Sequence, residues 1–173
     1  MASKYAVVVG ALQDAAARHD FTWSALRPEA VCGFAVGNPM NLAMAIAIYA
    51  VICAELGVPF SFPGRPEAWT TLFEVTDARL LAQAAQWAAT TESAAGEAFN
   101  ITNGDLFRWC NIWPQLADSF GLPVAQPRHV SLSEFMADKG PVWDRIVAEH
   151  NLRPYAYPEI VSWGFADAIF GAQ

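Results

Sequence analysis

The sequence predicts an α/β fold, and three observations carry that expectation. Short β-prone runs alternate with helical ones along the chain, as in packed layers of sheet and helix. The stretch Phe21 to Leu56 reads as strand, Gly/Pro loop and helix, which is half of a βαβ unit. The composition, 54% hydrophobic and 16% charged, is that of a chain with a substantial buried core. With 173 residues, one domain spanning 1–173 is expected. The expected strands are few for a complete doubly wound sheet.

Taken in order, Ala2 to Gly10, with YAVVVG at its end, is β-prone and predicts a short strand. A dinucleotide-binding turn after it would need three closely spaced glycines, and only Gly10 is present. Ala11 to His19 is an alanine-rich helix, and Asp20 turns the chain into a strand over Phe21 to Pro28. Gly33, Gly37 and Pro39 mark a loop. An apolar helix follows from about Met40 to Leu56, closed by Gly57. Its apolar residues run nearly all round, so burial on most faces is expected.

Val58 to Phe62 reads as a short strand, Pro63–Gly64 as a turn, and Trp69 to Val75 as extended. Thr76 is placed to cap a helix over Asp77 to Thr90, with Leu80, Leu81, Ala84 and Trp87 at helical spacing. Glu97 to Thr102 is a strand and Asn103–Gly104 a turn, with Asp105 or its neighbour starting a helix that holds Phe107, Cys110, Ile112 and Trp113 and ends at Gly121. Ser131 and Glu134 form a capping box for a helix from Leu132 to about Lys139. Gly140–Pro141 separates it from a helix over Val142 to His150. After a Pro/Tyr-rich loop, a final amphipathic helix runs from Glu159 to Phe170.

Charge and cysteines narrow the function classes. A net charge of −7 and a pI near 4.8 argue against nucleic acid as a partner. Cys32, Cys53 and Cys110 are odd in number and form no CxxC pair, so they read as buried reduced thiols rather than disulfides or zinc ligands. His19, His129 and His150 are scattered, and no metal site is expected. The apolar run from Leu42 stops at Glu55, short of the roughly 18 residues a membrane span needs. No charged segment precedes an apolar run at the N-terminus, so no signal peptide is expected either. A cytoplasmic, reduced setting is the resulting expectation. The Trp87, Trp109, Trp113 and Trp143 set reads as core.

The blocks TWSALRPEAVCGF, GNPMNLAMAIAIYAVICAELG, PFSFPGRPEAW, VTDARLLAQAAQWAAT, EAFNITNGDLFRW and PVWDRIVAEHNL, in this order, cover about Phe21 to Gly171. Together they resemble the C-terminal portion of the progesterone 5β-reductase/iridoid synthase-like proteins, atypical extended short-chain dehydrogenases. The resemblance implies a partial Rossmann-like fold carrying the substrate-binding helices, without the nucleotide-binding half. It implies NADPH as cofactor and reduction of the activated C=C bond of an enone or enal, a small apolar carbonyl substrate. The family's glycine-rich turn, 2′-phosphate contacts and catalytic lysine find no match before Phe21.

The resemblance also implies site residues. The family's catalytic tyrosine lies on the helix before the W-S strand in an F-Y-Y-x-x-E-D context. Counting back from Trp23 places Tyr5 at or beside that position, although the acidic pair is missing here. The nicotinamide end of the cofactor would meet Val31, Asn38, Pro39 and Met40. Phe34, Met44 and Trp163 would line an apolar substrate pocket. Asp77 matches a structural helix-capping aspartate. Two readings stand at this point. One is an NADPH-dependent reductase, or its substrate-binding half acting with a separately encoded N-terminal half. The other is a non-catalytic or repurposed binding or oligomerising module, with a cofactor-free isomerase or cyclase as a variant. Unpaired sheet edges would favour self-association, a homo-oligomer, in either case.

Overall fold

The computed structural model describes residues 4–33, 35 and 38–171. The first element is a helix, α1 (Lys4–Arg18), and this corrects the strand expected over Ala2 to Gly10, whose first two residues lie outside the described ones. Valine's β preference is weak beside helix cooperativity. Here the alanine-rich segment propagates back through the valines, because Tyr5, Val9, Leu12 and Ala16 then form one stripe at helical spacing, each half-buried.

The strand predicted from Phe21 becomes β1 (Ala25–Pro28), followed after Glu29 by β2 (Ala30–Cys32). The two are consecutive lengths of one extended run that changes partner. β1 pairs in parallel with β5 (Ala98–Ile101), while β2 pairs in parallel with β4 (Val75–Asp77). Thr76 makes the exchange possible. Its fully buried hydroxyl accepts from the Glu29 N–H at 3.1 Å and donates to the Ile101 carbonyl at 2.6 Å. Three strands are thus tied through one side chain, and a buried polar group is satisfied on both sides. The helix cap expected of Thr76 falls instead to Asp77, whose Oδ1 accepts from the Arg79 N–H at 2.7 Å and starts α4 (Ala78–Thr90).

α2 (Leu42–Leu56) is the centre of the core. It begins at Asn41 and ends at Gly57, which takes the left-handed conformation at φ +63° that favours glycine. Leu42, Ala45, Ile46, Ile48, Tyr49, Ala50, Ile52 and Cys53 are all buried. Against them pack the aromatics of the following loop. Phe60 stacks on Trp113 with centroids 4.5 Å apart, and the Trp113 indole donates to the Phe60 carbonyl at 3.1 Å. The Tyr49 hydroxyl donates to the Ser61 carbonyl. The strand expected over Val58 to Phe62 reduces to a single bridge between Phe60 and Val124, since Pro59 and Pro63 flank it and lack N–H donors.

Trp69 to Val75, expected to be extended throughout, splits into helix α3 (Pro66–Thr70) and the short strand β3 (Leu72–Phe73). β3 pairs antiparallel with β6 (Phe107–Arg108), which takes residues expected to be helical. The Phe73–Phe107 edge contact at 5.6 Å gives that pairing its side-chain partner. α5 then runs over Trp109–Ser119. The capping box at Ser131 opens α6 (Leu132–Phe135), and α7 (Gly140–Glu149) follows. The expected final helix is two: α8 (Tyr157–Ile160) and α9 (Trp163–Gly171). Asp167 of α9 reaches back to α6, accepting from the Leu132 and Ser133 N–H groups and the Ser131 hydroxyl. Burial works to raise its pKa, and these hydrogen bonds outweigh it, holding the carboxyl below its ordinary value.

Of the three cysteines only Cys53 is buried, while Cys32 and Cys110 are half-buried. Trp109, Trp113 and Trp143 are core, whereas Trp87 is 44% exposed and rests edge-on against Phe99 at 5.0 Å. Among the described residues no helix is long and apolar enough to cross a membrane.

Candidate functional site

The carboxyl end of β2, the second length of the run that β1 begins, leads into the loop before α2, the kind of place where open α/β sheets bind ligands. Two anchors fix this loop. Asn41 is 3% exposed. Its Nδ2 donates to the Gly33 carbonyl at 2.6 Å, while its Oδ1 accepts from the Met44 N–H at 3.3 Å and caps α2. The second anchor is the Pro39 carbonyl, which accepts from the Ser162 N–H at 2.8 Å, one residue before α9. The loop is therefore held to the end of β2 on one side and to the start of α9 on the other.

Glycine at position 33 has a packing reason. A Cβ there would lie 2.6 Å from the Cβ of Ala78, the first residue of α4. The end of β2 and the start of α4 touch through that missing side chain.

The expected cofactor-facing residues sit on this framework. Val31 is half-buried in β2 opposite Thr76. Asn38 and Met40 are exposed, and the Asn38 Oδ1 accepts from the Met40 N–H at 3.1 Å. Pro39 is half-buried behind them. Trp163 follows Ser162, the residue whose N–H holds the loop at the Pro39 carbonyl. Its ring is 6.3 Å from that of Tyr157. Burial pushes the Tyr157 phenol up to about 12, with a hydrogen bond from Trp163 opposing the shift, while its hydroxyl donates to the Met136 carbonyl. Met44 packs half-buried against the core. Phe34 lies outside the described residues, so the expected trio of Phe34, Met44 and Trp163 is placed only in its last two members. The clefts of about 220 Å³ beside Pro63, His129 and Asp167, and of about 430 Å³ beside Asp138, Pro141 and Tyr157, are lined by none of Val31, Asn38, Pro39, Met40, Met44 and Trp163.

Tyr5 stands in the first turn of α1, and the Arg27 guanidinium lies 4.9 Å above its ring. That cation–π contact brings the start of α1 to the carboxyl end of β1, where the run passes into β2. Cys32, the last residue of β2, is kept as a thiol: burial raises its pKa, the Asp77 carboxylate adds to this, and a hydrogen bond from the Ala43 backbone only partly opposes it.

A profile described as a PRISE-like Rossmann-fold domain matches residues 5–166. The chain belongs to the PRISE-like Rossmann-fold family. An (S)-8-oxocitronellyl enol synthase of Nepeta racemosa is 38% identical over 159 residues, covering 90% of this chain and 41% of that protein. One from Camptotheca acuminata is 40% identical over 155 residues, covering 87% and 40%. A 3-oxo-Delta(4,5)-steroid 5-beta-reductase of Arabidopsis thaliana is 37% identical over 155 residues, covering 88% and 40%. The chain thus spans about two fifths of the length of the relatives it matches.

Within this PRISE-like fold, sequence reasoning missed Asn41, Thr76, Arg27 and Ser162 as the residues that hold the site's framework. Asn41 had a legible signal, an asparagine directly before an apolar helical run. The roles of Thr76, Arg27 and Ser162 depend on partners 25, 22 and 123 positions away.

Proposed function

We propose that these residues form the substrate side of an NADPH-dependent reductase of activated C=C bonds in small apolar enones or enals. The nucleotide-binding portion would be supplied by polypeptide outside these 173 residues, on the same chain or a separate one. The observation that carries the reading is the loop pinned by Asn41 and Ser162 at the carboxyl end of β2; the role given to Tyr5 rests on the family resemblance.

The pinned loop suits the nicotinamide end of such a cofactor. Met40 offers apolar surface, 59% exposed. The Asn38 amide, its oxygen already engaged by the Met40 N–H, has N–H groups to offer a carboxamide. Val31 and Pro39 form the wall behind. The pyrophosphate end needs a glycine-rich turn, a motif the 173 residues do not contain. When bound, NADPH would supply the hydride for the β-carbon of the substrate. The Tyr5 hydroxyl would donate a hydrogen bond to the carbonyl oxygen, where negative charge gathers as the C=C electrons shift, and would pass its proton there to give the enol. Met44 and Trp163 would offer apolar surface to the rest of the substrate.

The test joins the chain to the nucleotide-binding portion of the Nepeta racemosa relative and titrates NADPH by nicotinamide fluorescence, with a small enone present. Expected are binding tighter than about 1 mM, some 4 kcal/mol, and enone-dependent NADPH consumption. Tyr5→Phe should lower kcat by about 10²-fold or more while leaving NADPH binding in place. Absence of NADPH binding would overturn the reading in favour of a non-catalytic binding module. Full activity in Tyr5→Phe would remove Tyr5 from the mechanism.

A further inference from the structure

The start of α9 is held from both sides. The Ser162 N–H donates to the Pro39 carbonyl at 2.8 Å, and the Ser162 hydroxyl accepts from the Phe165 N–H at 3.3 Å, as a helix cap does. Farther along, Asp167 accepts from the Leu132 and Ser133 N–H groups and the Ser131 hydroxyl, which ties α9 to α6. The backbone of Trp163 is therefore fixed. Its indole is only half-buried at the margin of the core. A large side chain on a fixed backbone still chooses among rotamers unless a neighbour selects one. Tyr157 is that neighbour. Residues 151–156, before α8, are all exposed. Two hydrogen bonds bring this stretch back: the Trp143 indole donates to the Tyr155 carbonyl at 3.1 Å, and the Tyr157 hydroxyl donates at 2.8 Å to the Met136 carbonyl, just past the end of α6. The Tyr157 ring lies 6.3 Å from that of Trp163, tilted by 39°. The same hydroxyl takes a hydrogen bond from Trp163. Burial pushes the phenol up to about 12, so it stays neutral and can donate to one partner while accepting from another. The indole N–H only donates, and fixing where it points fixes the ring.

We infer that Tyr157 is a positioning residue for the substrate: its hydroxyl, anchored on the Met136 carbonyl, sets the orientation of the Trp163 indole and so the shape of the apolar wall that this ring gives the site. The identity of that substrate, a small apolar enone, rests on the proposed reductase reading. Tyr157 itself acts through Trp163 and not on the reacting atoms. Without its hydroxyl, the indole N–H and the Met136 carbonyl both lose a partner. The ring is then free to turn toward water, and the substrate meets a wall that is no longer preorganised.

Two measurements on the 173-residue chain need neither cofactor nor substrate. The Trp163 indole N–H, assigned by its loss in Trp163→Phe, should exchange with solvent at least about tenfold more slowly than that of the 44% exposed Trp87. With fluorotryptophan in place of tryptophan, Tyr157→Phe should shift and broaden the Trp163 fluorine resonance while circular dichroism stays unchanged. The third measurement uses the chain joined to the nucleotide-binding portion of the Nepeta racemosa relative, with cyclohexenone as the probe. There Tyr157→Phe should raise KM about tenfold, with kcat within about twofold and NADPH binding unchanged, the pattern of lost uniform binding. In a Trp163→Phe background the same substitution should raise KM no further, because no indole is left to hold. A Tyr157 that merely closes α8 onto α6 would act alike in both backgrounds, and that result would overturn the inference. So would a Trp163 indole N–H exchanging as fast as that of Trp87, or a fluorine resonance that Tyr157→Phe leaves in place. The exchange measurement is made on the unsubstituted chain, so it decides the matter even where Tyr157→Phe does not fold. An active joined protein in which Tyr157→Phe changes nothing removes only the positioning role. A joined protein that binds no NADPH removes the reductase reading, and the substrate role of Tyr157 with it.

Discussion

At the scale of single residues, Asn41 carries two duties that can be separated. Its oxygen caps α2 and its nitrogen holds the Gly33 carbonyl. Asn41→Ser keeps a capping oxygen but has no donor long enough for Gly33. Asn41→Ala loses both. A cap is worth about 1 kcal/mol and a buried hydrogen bond about as much again, so the alanine variant should lose about 2 kcal/mol in urea unfolding and the serine variant about half of that. Both should weaken NADPH binding by the assembled protein, because the loop holding Asn38 and Met40 is released at one end. If serine proves as destabilising as alanine, the two duties are not separable and the loop anchor is part of the cap. The cap was legible as an asparagine before an apolar run. The bond to Gly33 was not, since it needs the chain to fold back over eight positions through a Gly/Pro loop whose course no periodicity describes.

At the scale of elements, β2 and α4 meet through the absent side chain of Gly33. Gly33→Ala would force its Cβ against the Cβ of Ala78 at 2.6 Å, and both atoms sit directly on backbone with no flexible end to move. An overpacking cost of about 1–3 kcal/mol is expected. Ala78→Gly alone should cost up to about 1 kcal/mol in helix propensity. In the double variant the clash is gone, so the two costs should fall short of their sum by about 1 kcal/mol or more, measured as a cycle of denaturation midpoints. Additive costs would show that the two elements do not meet there. Most helices were legible because apolar residues recur at helical spacing and caps mark their ends, as with Leu80, Leu81 and Ala84 after Asp77. Where the reading failed, a local preference was overridden. The valines of α1 joined a helix nucleated by their alanine-rich neighbours. Phe107 and Arg108 joined a strand because Leu72 and Phe73 were at hand to pair with them.

At the scale of the whole molecule, the high apolar content signalled a large core but not its uneven distribution. The buried residues gather around α2, α5, α7 and α9, with Phe60, Phe62 and Trp113 between them. The layer of α1, β1, α4 and β5 contributes none of its residues to that cluster, and Thr76 is the polar tie that joins β5 to it through β4. Stability should therefore divide the same way. Regions with few buried apolar contacts open at lower free energy than the core they rest on. In native-state exchange of the isolated chain, amides of Phe99 and Ile101 in β5 and of Leu81 and Ala84 in α4 should open through a sub-global transition. Those of Ile48 and Ile52 in α2 and Ala117 in α5 should wait for global unfolding. The denaturant slope distinguishes the cases, because a sub-global opening exposes less surface and gives a smaller slope. A single free energy and slope shared by both groups would mean that the thin layer unfolds only with the core. Its sparse burial would then be sufficient by itself to hold the layer to the core.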